Sequence, residues 1–89
     1  MIEQTLKINN RLGLHARPAA LIVQTAAGFK SDVRLSKDGV SVNAKSIMGV
    51  MMLAAEYGSE LHLSTEGDDE QAAFEAIQKL FNNKFYEEF

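Results

Sequence analysis

Apolar and polar residues alternate from the start of the chain. Ile2, Leu6 and Ile8 share one parity, while Glu3, Thr5, Lys7 and Asn9 take the other, a period of two that predicts a half-buried strand over residues 2 to 8. After a turn from Asn9 to Gly13 the period changes. Ala16, Ala19, Ala20, Val23, Ala26 and Ala27 step by three and four, which places small apolar groups down one helix face, and Gly28 ends that helix. Alternation returns at Val33 and Leu35, set against Asp32, Arg34 and Ser36, and again at Val40, Val42 and Ala44, set against Ser41 and Asn43. Asp38 and Gly39 supply turn chemistry between the two runs, which predicts a hairpin.

Ser46 heads the apolar run 47–55 and is a good N-cap for a short helix that Gly58 closes. Leu61, Leu63 and Thr65 alternate with Glu60, His62 and Ser64, a fourth strand. Asp68 with Gln71 reads as a capping box, and Ala73, Ala76, Ile77, Leu80 and Phe81 follow at helical spacing, with Lys79 and Lys84 suited to the negative end of the dipole. The aromatic tail, Phe81, Phe85, Tyr86 and Phe89, is expected to pack this helix. The order strand, helix, strand, strand, helix, strand, helix predicts a two-layer α+β sandwich, its antiparallel sheet covered on one side by helices. A ferredoxin-like arrangement uses almost the same succession, so periodicity leaves the strand order open.

Composition narrows the function more than the fold. At 89 residues the chain is expected to form one domain, residues 1–89, and a domain of this size buries only about 60 to 70% of the surface its unfolded chain exposes. It has no cysteine, which excludes disulfides and thiolate metal sites. No signal-peptide layout opens it, and its longest apolar stretch, IMGVMMLAA, falls far short of the roughly 18 to 20 residues that span a bilayer. A cytoplasmic protein without membrane insertion is expected. A net charge of −3 argues against a phosphate-tracking nucleic-acid surface.

The chemistry concentrates in GLHARPAALIV, residues 13 to 23. The first turn of a helix carries backbone N–H groups without internal acceptors and a partial positive charge, so it receives anions. His15 stands at this start, and an anionic group on its ring would meet the amides of Ala16 and Arg17. Pro18 lacks an N–H where none is needed, although proline leaves open whether the helix begins at residue 16 or 18. Arg17 adds a permanently charged fork that matches phosphate oxygens. An imidazole is a nucleophile near neutral pH, and phosphohistidine is labile enough to pass its group onward. The plain alternative is a surface histidine at a helix cap beside a solvated arginine.

GLHARPA, residues 13–19, resembles the active-site motif of the HPr family, the histidine-containing phosphocarriers of the bacterial phosphoenolpyruvate-dependent sugar phosphotransferase system. NAKSIMGVM, residues 43–51, is similar to the regulatory-serine region of the same family. The resemblance covers essentially the whole chain. It implies an open-faced sandwich with strand order 1, 4, 2, 3 and three helices on one side. It implies that His15 accepts a phosphoryl group on Nδ1 from enzyme I and donates it to an enzyme IIA domain, with Arg17 and the Ala16 and Arg17 amides stabilising the phosphate. Ser46 matches the serine modified by HPr kinase/phosphorylase.

A phosphate ester at Ser46 would gain from a helix N-terminus and add a charge of about −1.5 to −2 beside an apolar surface, although Ser46 as a plain cap fits the same position. The second helix is apolar on almost every side, so part of it is expected to be exposed for docking. Ile47, Met48 and Met51 are the candidates from the resemblance; on periodicity alone each is as readily core. His62 lies on the polar parity of its strand and is read as surface, with no metal proposed. The expected protein is a monomeric carrier without turnover or cofactor. Two other readings stand beside it: a mainly regulatory or nitrogen-branch HPr-like protein, and a ferredoxin-like ligand- or RNA-binding domain that lacks the basic patch and sheet aromatics RNA recognition uses.

Overall fold

In the computed structural model, which describes residues 1–87, the strands β1 (Ile2–Lys7), β2 (Asp32–Lys37), β3 (Val40–Asn43) and β4 (Glu60–Glu66) form one antiparallel sheet in the order β1-β4-β2-β3. The register explains the two layers. Leu6 lies opposite Leu61, Leu35 opposite both Leu63 and Val42, and Val33 opposite Thr65, so the apolar parity of every strand reaches one face. The opposite face carries Glu3, Thr5, Lys7, Arg34, Ser36, His62 and Ser64, and it meets water, as one face of an antiparallel sheet can. His62 there pairs with Glu3 across the strands at 2.7 Å.

Three helices cover the apolar face: α1 (Ala16–Ala27), α2 (Ile47–Met52) and α3 (Glu70–Asn82). The open-faced sandwich and the strand order agree with expectation. Ile8, Ile22, Leu61, Leu63, Ile77, Phe81 and Phe85 form the buried centre. Asp38 and Gly39 both take positive φ, 51° and 85°, in the two-residue hairpin loop, matching the right-handed twist of the strands it joins.

Three local expectations need correction. The inward face of α1 is Pro18, Ala19, Ile22 and Ala26, whereas Ala16 and Ala27 are exposed. The helix turns Ile22 to the core because a large side chain removes more apolar area from water than alanine does. Helix α2 stops at Met52, short of residue 55, because Ala54 turns left-handed with φ 48°. Leu53 and Ala55 then enter the core from a loop, and Gly58 bonds Ile8 instead of closing a helix.

The third correction concerns the start of α3. Asp68 and Gln71 form no capping box: the helix begins one residue later than that box implies, with Asp69 as N-cap, and Glu70 Oε1 accepts from the Gly67 amide at 3.2 Å. The Asp69 carboxylate turns away from its own helix to the α1–β2 loop. It accepts the amides of Lys30 and Ser31, both at 2.9 Å, and the Ser31 hydroxyl. These donors, the hydroxyl first, hold its pKa down from 3.8 to about 2.

Beyond α3 the chain makes one 3₁₀ turn, Lys84–Tyr86, whose residues have φ of 53°, 55° and 61°. Left-handed backbone costs roughly 1–2 kcal/mol for each non-glycine residue, so this turn is held from outside itself. Phe85 supplies the anchor. It is fully buried against Phe81, ring centroids 5.0 Å apart. Of the aromatic tail, Phe81 and Phe85 pack as expected and Tyr86 is exposed; Phe89 lies outside the described residues.

Candidate phosphohistidine site

His15 is the N-cap of α1, with extended backbone, so the helix begins at Ala16 and Pro18 occupies its first turn. The His15 carbonyl accepts the Ala19 amide at 3.0 Å. Ahead of it, the amides of Ala16 and Arg17 have no acceptor within the helix and Pro18 has no N–H, which leaves two donors at the positive end of a 12-residue helix. Arg17 is exposed, and its guanidinium is in no ion pair among the described residues. The sequence neighbours His15, Ala16 and Arg17 therefore present a ring, two amides and a fixed cation at one helix end.

The loop before His15 is shaped by Gly13. Its φ is +70°, and a Cβ there would lie 2.6 Å from the Ala55 carbonyl oxygen. Only glycine permits both the left-handed backbone and this approach. The Leu14 amide then donates to the same carbonyl at 2.8 Å, which joins the histidine loop to the segment leaving α2. Asn10 closes the loop from inside. It is fully buried, and its Nδ2 donates to the Gly13 carbonyl at 2.7 Å.

The second donation from Asn10 Nδ2 goes to Glu87 Oε1, also at 2.7 Å, from 77 residues away. Glu87 Oε2 lies 2.6 Å from His15 Nε2. The side chain of Glu87 is 5% exposed and that of His15 38%, so the carboxylate is covered while the ring still meets solvent. Both acceptors around Asn10 Nδ2 are oxygens, which fixes the orientation of the amide and leaves its Oδ1 buried without a partner. Neither Glu87 nor Asn10 was marked by any motif in the chain. The pairing depends on the left-handed turn at residues 84–86, for which a run without glycine carries no local signal.

Ser46 is the N-cap of α2, its Oγ accepting the Gly49 amide at 3.1 Å. Helix α2 packs on α1 and β3. Ala55, three residues past its far end, meets the histidine loop, so the six residues of α2, about 9 Å at 1.5 Å rise, lie between Ser46 and the segment that makes that contact. Ile47, Met48 and Met51 are all exposed, by 43%, 72% and 42%, and Met52 by 71%. Among the described residues, no group of three or more His, Asp or Glu side chains is placed to hold a metal, and no helix is long and apolar enough to cross a membrane.

Comparison with known proteins adds the family. Residues 2–83 match the family model described as PTS HPr component phosphorylation site. The phosphocarrier protein HPr of Treponema pallidum is 59% identical over 88 residues, 99% of this chain and 100% of that one. The chain belongs to the HPr family. The HPr-like protein Crh of Bacillus subtilis is 54% identical over 80 residues, 90% of this chain and 91% of its own. Among solved structures, HPr from Thermoanaerobacter tengcongensis superposes with a TM-score of 0.96 at 53% identity, covering 100% of both chains. A dimeric HPr from the same organism gives 0.79 at 53% identity, covering 98% of this chain and 100% of that one. An HPr-family phosphocarrier fits the geometry at the α1 end: a solvent-reachable imidazole beside donors for an anion.

Proposed function

We propose that residues 1–89 form one HPr domain that works as a cytoplasmic, monomeric phosphoryl carrier in the phosphoenolpyruvate-dependent sugar phosphotransferase system. His15 takes the group on Nδ1 from phosphorylated enzyme I and passes it to an enzyme IIA domain. The carrier turns over no substrate of its own and needs no cofactor. The observation that carries this reading is the placement of His15 as the N-cap of α1, where the free Ala16 and Arg17 amides end the helix and the exposed Arg17 side chain stands in the same first turn, donors suited to an anion on the ring. Transfer between two such rings is mainly a matter of position and charge, which a small exposed site shares with its partner. Ile47, Met48 and Met51 supply the apolar docking surface beside it, and methionine adapts to more than one partner.

Ser46 is proposed as the regulatory site of HPr kinase/phosphorylase. A phosphate ester there brings a charge of about −1.5 to −2 to the edge of the same docking surface, and desolvating it against a partner is unfavourable. The likeness to Crh, described as the catabolite repression HPr of Bacillus subtilis, supports a second, mainly regulatory reading; in that reading the ester at Ser46 is the principal signal. The His15 ring favours the carrier.

Incubation with phosphoenolpyruvate and enzyme I tests the relay. The wild type is expected to gain an acid-labile phosphate that His15→Ala does not, and an unlabelled wild type with active enzyme I overturns the reading. With ATP and HPr kinase, an acid-stable phosphate absent from Ser46→Ala is expected; label persisting in that variant overturns the serine assignment.

A further inference from the structure

Glu87 has no part in the reading above, yet it makes the shortest contact to the reactive ring. The geometry points to Glu87 as a positioning residue for phosphoryl transfer: its carboxylate holds His15 by Nε2 and keeps Nδ1 as the nucleophile. This rests on the phosphocarrier reading and says how its site is set.

An ionised carboxylate only accepts hydrogen bonds, so at 2.6 Å the His15 Nε2 is the donating nitrogen. A neutral imidazole has a single N–H, and the lone pair therefore sits on Nδ1. Covalent structure gives the same choice. Nδ1 is bonded to Cγ and is the ring nitrogen nearer the backbone, so a group on it is the closer of the two to the first amides of α1. A phosphoryl group on Nε2 would instead meet the negative charge of Glu87.

The carboxylate is itself held. Asn10, fully buried, grips Oε1 at 2.7 Å, so Glu87 cannot rotate off the ring without leaving a buried amide donor unpaired. Phe85 in the core fixes the backbone two residues earlier, through three consecutive residues with positive φ. Strained backbone persists where its surroundings over-determine it, and here what it delivers is the carboxylate at the histidine.

The chemical step balances without another reactant. The Nδ1 lone pair forms the N–P bond as the bond from phosphorus to the donor breaks, and that electron pair leaves with the donor. The Nε2 proton stays in its hydrogen bond. The ring becomes cationic as the bond forms, and a carboxylate already in place stabilises that charge, as the aspartate of a catalytic triad stabilises its imidazolium.

Two measurements on the full chain test this. In ¹⁵N-labelled protein, the His15 ring is expected to show Nε2–H as a downfield proton protected from exchange with water, with Nδ1 unprotonated. Glu87→Ala should lose that signal while the backbone spectrum stays folded. Glu87→Gln, whose amide can satisfy only one of the two donors facing it, should weaken it. In rapid quench with phosphorylated enzyme I, both variants should accept phosphate about tenfold more slowly or worse, the size of loss seen when the carboxylate that orients a metal-bound histidine is removed. A wild type without the protected proton, or variants that match the wild-type rate, overturn the role of Glu87 and leave the carrier standing. A wild type that takes no phosphate overturns both.

Discussion

Two carboxylates, at opposite ends of α3, each tie the C-terminal part of the chain to a distant loop, and their donors differ in kind. At the start of the helix, Asp69 reaches Lys30 and Ser31, across 39 and 38 residues. Past its end, Glu87 reaches His15 and Asn10, across 72 and 77. Asp69 receives two backbone amides and a hydroxyl, groups that neither titrate near neutral pH nor attack phosphorus, so its bonds serve the fold. Glu87 receives one amide and one imidazole. The same acceptor geometry becomes chemical when a donor is a ring that carries a second, nucleophilic nitrogen and is itself partly exposed.

The largest effect that separates the two ends is expected from Phe85→Ala. Removing a fully buried phenylalanine should lower stability by about 3–5 kcal/mol in denaturant unfolding. It should also slow phosphoryl acceptance to the rate of Glu87→Ala, since the turn that delivers the carboxylate loses its anchor. Wild-type transfer in the destabilised variant would break the proposed link between tail packing and site.

Gly13→Ala comes next. With φ of +70° and a Cβ 2.6 Å from a carbonyl oxygen, it should cost about 1–3 kcal/mol in the same unfolding measurement. Gly39→Ala is the control: its φ is +85°, but nothing lies within 4 Å, so it should lose only the backbone contribution, about 1 kcal/mol. Equal losses would mean that the packing of the histidine loop on residues 55–56 contributes nothing.

Asp69→Asn comes last: it removes a contribution that is present at neutral pH, and the pH dependence it abolishes is confined to acid. The folded carboxyl titrates at about 2, below its ordinary 3.8, so its ionisation favours the fold fully above 3.8. That contribution fades as pH falls through this window and is gone below the folded value. Thermal unfolding across pH 5 to 1.5 should show wild type declining more steeply than Asp69→Asn, although Glu70, also lowered by the Gly67 amide and the N-terminal ammonium, gives both proteins some slope. Phosphoryl acceptance at neutral pH should be unchanged. A slowed transfer would show that the two ends of α3 are coupled.

Element type and inward face were legible wherever a period of two or of 3.6 ran long enough, as at Leu61, Leu63 and Thr65 or at Ile77, Leu80 and Phe81. Faces were misjudged where alanines are spread around the helix, as in α1, and ends where an apolar run outlasts its helix, as at Leu53 to Ala55. The motif around His15 stood in one contiguous stretch, because a helix N-terminus presents consecutive residues to one anion. Ser46 was legible as a cap for the same local reason.

By itself, then, the sequence determined the four strands, the hairpin turn, the three helices and a histidine at the head of the first. These follow from sterics and burial within a few residues. Tertiary structure alone decided which carboxylate reaches that histidine, which buried amide steadies it, and that Met48 faces water while Val50 does not. Such pairings join residues far apart through a left-handed turn that local preference disfavours, and only the packing of Phe85 in the common core makes that turn the stable one.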